Sequence, residues 1–236
     1  MRALILIGGI FHDFAGSAEV LARILGAVGF SSDISEDVDG TLAGLPRWRE
    51  PPLVVLDALR WSMTQHEKYA PYRAQWAFST SADMRDGLSS HLARGGGLLG
   101  LHTASICFDD WPDWPAMLGA GWQWGRSHHP PPESARVTLA PQAHPITRGV
   151  SPFEVVDEIY RELAVAADAR PLWSAQVPDA AEPVPVAWAR RHGCGRVVYD
   201  ALGHDAASVG QPEHARLIAR AAAWCAGRPE TEWGAV

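Results

Sequence analysis

Cysteine is scarce in this sequence: Cys107, Cys194 and Cys225 are an odd number with no Cys-x-x-Cys spacing. Neither a disulfide framework nor a cysteine-based zinc knuckle is therefore written here, and a reducing, cytoplasmic setting fits best. Long apolar runs are missing too. The run from Ala3 to Ile7 is far too short to cross a bilayer, and Gly8-Gly9 followed by His12-Asp13 does not read as a signal-cleavage region, so no membrane association is expected. Runs of lysine or arginine are absent against a net charge of −7, which disfavours a nucleic-acid partner. No internal repeat or low-complexity linker divides the chain, and a single domain over residues 1–236 is expected.

What is present is an ordinary globular balance, 47% apolar and 20% charged, which argues against disorder. Eleven tryptophans and ten histidines exceed expectation, and several of them fall at the ends of predicted strands. Ala3 to Ile7 is a continuous apolar segment of the kind that lies in a parallel sheet covered on both faces. Val20, Leu21, Ile24, Leu25 and Val28 then recur at helical spacing, with Ser17 as the expected N-cap and Gly29 as the stop. Strands are predicted at 30–34 and 53–56, a loop with short helix at 60–79, and a helix over 81–94. A glycine-rich approach leads into a buried strand ending at His102. Later segments at 136–139, 155–160, 171–174, 184–189 and 196–202 read as strands, and 213–226 as a closing helix. Strands alternating with helices early, and more strands late, indicate a mainly parallel sheet extended by antiparallel or mixed strands.

Ligands of doubly wound sheets sit beyond the carboxyl ends of the strands, so the polar residues there are the ones to collect. They are His12 and Asp13, Asp57, His102, and His204 with Asp205. Gly95-Gly96-Gly97 precedes its strand, whereas phosphate-cradling glycines follow theirs, and Gly8-Gly9 lacks a third glycine; no nucleotide cofactor is expected. His144 is held extended by Pro145 and reads as a turn former. His66, His91, His192 and His214 lie in polar or helical surroundings and read as surface residues.

Leu99-Gly100-Leu101-His102 and Gly203-His204-Asp205 resemble the class I glutamine amidotransferases, which carry a nucleophilic cysteine at the first place and a histidine at the second. With histidine at that place the glutaminase reaction is not expected. Cysteine-dependent amide hydrolysis would need Cys107 to reach the cleft. Five ordered motifs resemble the trehalose-utilization ThuA-like family. They are Gly8 to Asp13, Gly95 to His102, His144-Pro145-Ile146-Thr147, Asp157-Glu158-Ile159-Tyr160, and Gly195-Arg196-Val197-Val198-Tyr199 through His204. The segment Gly119 to Pro130 also resembles the family's His-Pro loop, with either His128 or His129 as the equivalent imidazole.

The resemblance implies an α/β fold, a three-layer sandwich around a mainly parallel, flavodoxin-like sheet of the amidotransferase type. It implies carbohydrate utilization, on a disaccharide or keto-sugar, with His102, His204 and Glu158 as candidate catalytic residues. His12, Asp13, Trp124, Tyr160 and Asp205 are candidates for binding the substrate. Imidazoles beside a carboxylate either hold a divalent cation such as zinc or exchange protons near neutral pH. His102, His128, His129 and His204 are the candidate metal ligands; no His-Glu-x-x-His spacing is present, so such a site has to be assembled from distant segments. Trp111, Trp114, Trp122 and Trp124 offer flat faces to sugar rings, with Asp109, Asp110 and Asp113 as hydroxyl partners. The alternative is a noncatalytic sugar-binding or accessory module. A homo-oligomer is compatible with either reading.

Overall fold

A computed structural model of the chain describes residues 1–141, 144–178 and 180–233. The first half alternates strand and helix. β1 (Arg2–Gly8) leads to α1 (Phe14–Ala27), then β2 (Ser31–Ser35), α2 (Val38–Ala43), β3 (Leu53–Ala58), α3 (Ala70–Trp76), α4 (Ala82–Ala93) and β4 (Gly97–Leu101). Next come α5 (Trp114–Leu118), β5 (Ala120–Gly121), β6 (Glu133–Leu139), β7 (Phe153–Asp157), β8 (Ala164–Val165), β9 (Arg170–Gln176) and β10 (Val184–His192). The chain closes with β11 (Gly195–Asp200), α6 (Ala206–Val209) and α7 (Pro212–Cys225).

Nine strands form one sheet in the order β2-β1-β3-β4-β11-β10-β9-β6-β7, and β5 pairs with β8 apart from it. The first five strands are mutually parallel and the remaining pairings are antiparallel. Read in chain order, the parallel half runs 2-1-3-4-5, the flavodoxin-type order, whose switch point lies between β1 and β3. All of β3 and β4 is buried, as strands covered on both faces must be, whereas β7 alternates buried and exposed residues because only one face is packed.

The coverage follows from two successive glycines. A Cβ at Gly96 would strike the His91 ring of α4, and one at Gly97 would strike the Cys225 carbonyl of α7. In β11 the same alternation holds, a Cβ at Gly195 meeting Leu92 of α4 while Arg196 donates to the Trp224 carbonyl of α7, so α4 and α7 cover opposite sides of the sheet. α1 packs with α7 on one side, and α2 with α4 on the other. Among the described residues no helix is long and apolar enough to cross a membrane.

Two expectations are corrected. α1 begins earlier than Ser17 because the Asp13 carboxylate accepts from the Gly16 amide at 3.0 Å and caps the helix there, leaving Ser17 buried inside it. His91 and His214 are fully buried rather than on the surface: each lies on the sheet-facing side of its helix and meets a polar partner there. His91 Nε2 contacts the Gly97 carbonyl at 3.2 Å, and His214 Nε2 contacts the Asp200 carboxylate at 2.7 Å.

Candidate functional site

Three parallel strands and the segment after β7 deliver polar side chains to one place. Past β1, Gly8 and Gly9 at φ 117° and 132° turn the chain to bring in His12. Past β4 the chain turns abruptly at His102, whose φ of 39° is a conformation that a non-glycine residue seldom holds unless its surroundings fix it. They do: the Tyr199 hydroxyl donates to the His102 carbonyl at 2.7 Å, and His102 Nδ1 contacts the Ala201 carbonyl at 2.8 Å. Past β11, Gly203 leads to His204. Asp157, the last residue of β7, ties this loop to its own strand end. Its buried carboxylate accepts from the Gly203 amide at 2.7 Å, from the His204 amide at 3.3 Å and from the Ser208 hydroxyl, which places Glu158 against His204.

Glu158 is the hub. Its Oε2 lies 3.2 Å from His204 Nδ1, 3.5 Å from His102 Nε2, 3.5 Å from His129 Nδ1 and 3.8 Å from His12 Nε2. One ligand-type atom from each of His12, His102, Glu158 and His204 falls within 4.8 Å of all the others. Burial favours a neutral Glu158, but His102, His12 and the neighbouring imidazoles outweigh it and hold the carboxyl well below the usual carboxylate range. At His102 burial likewise opposes the charged form, yet Glu158, Asp157 and the Ala201 carbonyl prevail and raise its proton affinity. His204 is lowered, first by burial and then by His102 and His12, against the pull of Glu158. With the Ala201 carbonyl holding the Nδ1 proton of His102, the titrating proton sits on Nε2, which faces Glu158 and the Tyr160 hydroxyl, the latter 3.2 Å away; loss of that proton frees the Nε2 lone pair.

The cluster opens into a cavity of about 850 Å³ whose lining includes His12, His128, His129, Glu158, Tyr160, His204 and Trp124. Among the expected metal ligands, His102 and His204 belong to the cluster and His129 reaches Glu158. His128 does not: its Nδ1 turns to the Arg126 carbonyl at 3.1 Å. Asp13 and Asp205 cap helices, their carboxylates accepting from the Gly16 and Ser208 amides, and neither is among the residues lining the cavity. Trp111 and Trp114 are core residues, while Trp122 and Trp124 line the cavity. Asp109 is engaged by Ser62 and Gln65, and Asp110 by Thr80 and Arg85, so both anchor the 62–80 segment rather than face a sugar. His144 accepts from the Ile146 amide at 3.3 Å in its turn. Cys107 donates to the Ala58 carbonyl at 2.9 Å and burial pushes its thiol up to about 12, which leaves it unfit as a nucleophile.

Several positions at or near the site were given no role from sequence. Asp57, at the end of β3, was visible as a strand-end carboxylate; burial pushes it up to about 7 against the pull of His102, and its Oδ2 has no hydrogen-bond partner. Phe11, Gln65, His66, Lys68, Tyr69 and Tyr72 line the cavity, which Asp57 does not. They come from segments without clean periodicity, so nothing in their spacing announced them.

The sequence profile of the ThuA family, described as trehalose utilisation, matches residues 2–225. No curated protein matches the sequence. Among solved structures, a ThuA-like protein from Parabacteroides merdae superimposes with a TM-score of 0.76 at 19% identity, over 97% of this chain and 91% of the other. A second ThuA-like protein, from Bacteroides uniformis, gives 0.69 at 18% identity, over 95% and 91%. A β-galactosidase from Halorubrum lacusprofundi contains a similar fold, with a TM-score of 0.57 at 17% identity, over 96% of this chain but only 30% of that enzyme. At these identities the likeness is one of fold.

Proposed function

Because the chain belongs to the ThuA family, described by its part in trehalose utilisation, we propose that it acts in carbohydrate utilisation on a disaccharide or keto-sugar bound beside His102, His204 and Glu158. One observation carries the reading: three imidazoles and a carboxylate from far-apart segments converge within 4.8 Å at the floor of a cavity large enough for a sugar.

The donor set fits a divalent cation such as zinc. Tetrahedral bonds of about 2.0–2.1 Å put ligand atoms roughly 3.3 Å apart. Glu158 Oε2 stands 3.2, 3.5 and 3.8 Å from the nitrogens of His204, His102 and His12. His12 Nε2 and His204 Nδ1 are moreover buried without a hydrogen-bond partner, a costly arrangement unless something else satisfies them. Those four residues would hold the ion, which when bound supplies a Lewis acid for a sugar carbonyl or hydroxyl. The chain's own groups do the rest. Ala201 orients His102, Tyr160 presents a hydroxyl beside it, and His129, accessible from the cavity and 3.5 Å from Glu158, is placed to exchange a proton with bound substrate.

Elemental analysis tests the metal: about one divalent ion per chain is expected, and none after metal-supplemented expression would remove it. Calorimetry with disaccharides and their keto forms tests the ligand class; heat is expected with at least one, and silence across the panel defeats the reading. Turnover that survives His102→Ala in a folded protein would eliminate the catalytic assignment, and binding without turnover would leave an accessory module.

A further inference from the structure

The cavity reaches well beyond the cluster, and what lines its outer part is unlike the rest of the surface. Among the described residues, the phenylalanine, tyrosine and tryptophan side chains that stand exposed are Phe11, Tyr72 and Trp124, and all three line this cavity. Exposure marks depth: Phe11 is 60% exposed and Tyr72 and Trp124 each 39%, against side-chain values of 1% for His102, 9% for His12 and 13% for Glu158. The cluster is thus the floor and the three aromatics the rim.

Two tracks of rings join floor to rim. On one, His102 lies 4.5 Å from Tyr160, Tyr160 5.1 Å from Trp122, and Trp122 6.2 Å from Trp124, between ring centroids. On the other, His12 is followed back along the chain by Phe11, which stands edge-on to Tyr72 at 5.5 Å and 80°. Phe11 holds φ at 72°, a conformation that bulky side chains rarely adopt, and its ring stands 60% exposed at the rim. Gln65, Lys68 and His128 lie among these rings and offer hydrogen bonds. Flat apolar faces interleaved with polar groups suit a sugar ring, which has an apolar face and a hydroxyl edge. Ligand cavities run from about 300 to 1,000 Å³, and one of about 850 Å³ is generous for a lone monosaccharide.

We propose that Phe11, Tyr72 and Trp124 form an outer subsite that holds a second ring of the substrate by its apolar face while the first ring reaches the His/Glu floor. The inference rests on the carbohydrate reading above; it narrows 'a disaccharide or keto-sugar' to a ligand of two rings and assigns the residues that hold the outer one. A second sugar and an aryl aglycone share that chemistry, and the test separates them.

Calorimetry would compare trehalose, maltose and cellobiose, with their keto forms, against methyl glucosides and 4-nitrophenyl glucoside. The proteins are wild type and the Tyr72→Ala/Trp124→Ala double variant, both exposed positions whose loss leaves the core intact, with circular dichroism and Tm as checks. Wild type is expected to bind at least one two-ring ligand about tenfold or more tighter than the methyl glucosides. The double variant should lose that advantage and keep its methyl glucoside affinity within about twofold. A gain with disaccharides assigns the subsite to a sugar; a gain with the aryl glucoside alone assigns it to an aglycone. Equal affinity for one- and two-ring ligands in wild type, or an equal loss of both in the variant, overturns the subsite and leaves the carbohydrate reading standing. Failure of every sugar to bind overturns both.

Discussion

Glu158 and His128 make opposite predictions although both line the cavity. Glu158 touches four imidazoles, whereas His128 turns away to the Arg126 carbonyl. Glu158→Gln keeps the volume and removes the charge, so metal affinity measured by calorimetry should fall by more than the roughly 10–100-fold that loss of a supporting group costs. His128→Ala should leave it unchanged, and a comparable fall there would redraw the ligand set. A separate buried pair governs stability against pH. His214 is raised: burial lowers it, but Asp200 at 2.7 Å and the Ser208 carbonyl at 2.8 Å outweigh burial. A raised folded value means that the stabilising proton is fully held below the unfolded value, about pH 6.5, and lost as pH climbs through the folded one. His214→Gln should therefore cost about 3–5 kcal/mol at pH 6. The gap to wild type should narrow toward pH 9 in urea titrations; a gap that widens there contradicts the pairing.

At the level of elements, the approach of α7 to β4 depends on a missing side chain. A Cβ on Gly97 would collide with the Cys225 carbonyl, and backbone cannot step aside as a flexible side chain can. Gly97→Ala should destabilise by about 1–3 kcal/mol or more. Gly26, in α1, has nothing within 4 Å of its would-be Cβ, and Gly26→Ala should be stabilising by up to about 1 kcal/mol. Denaturant midpoints moving in the same direction for both would refute the contrast. The strands around these glycines were legible because buried parallel strands are continuous apolar runs, and His102 and His204 follow such runs, whereas Glu158 follows the alternating, antiparallel β7 and was reached only through the Asp157-Glu158-Ile159-Tyr160 motif. The caps at Asp13 and Asp205 were not legible for a related reason: a carboxylate after a strand looks the same whether it caps the next helix or faces a ligand. The 61–79 segment stayed opaque since its rings pack one at a time into different neighbours. Trp61 is buried against Tyr69 while Tyr72 stands out toward Phe11, and such contacts leave no period in the sequence.

For the whole molecule, a metal held as proposed would couple its binding to folding at this site. The donors follow β1, β4, β7 and β11, so the unfolded chain holds no preformed site and an ion bound to the native state stabilises all of the loops that carry them. With free zinc at a hundred times the dissociation constant, the linkage is about 2.7 kcal/mol, or roughly 5–11 °C in Tm for a chain of this size. Protons oppose it. His102 binds its proton more tightly in the metal-free fold than in the unfolded chain, and an ion must displace it. The zinc-induced rise in Tm should accordingly be larger at pH 7.5 than at pH 5.5, where His102 holds its proton more fully. Glu158→Gln should flatten the rise at both values. A rise that is equal at the two pH values, or that survives the substitution, would mean that zinc acts elsewhere on the protein and that the converged imidazoles serve only to hold one another and Glu158 in place.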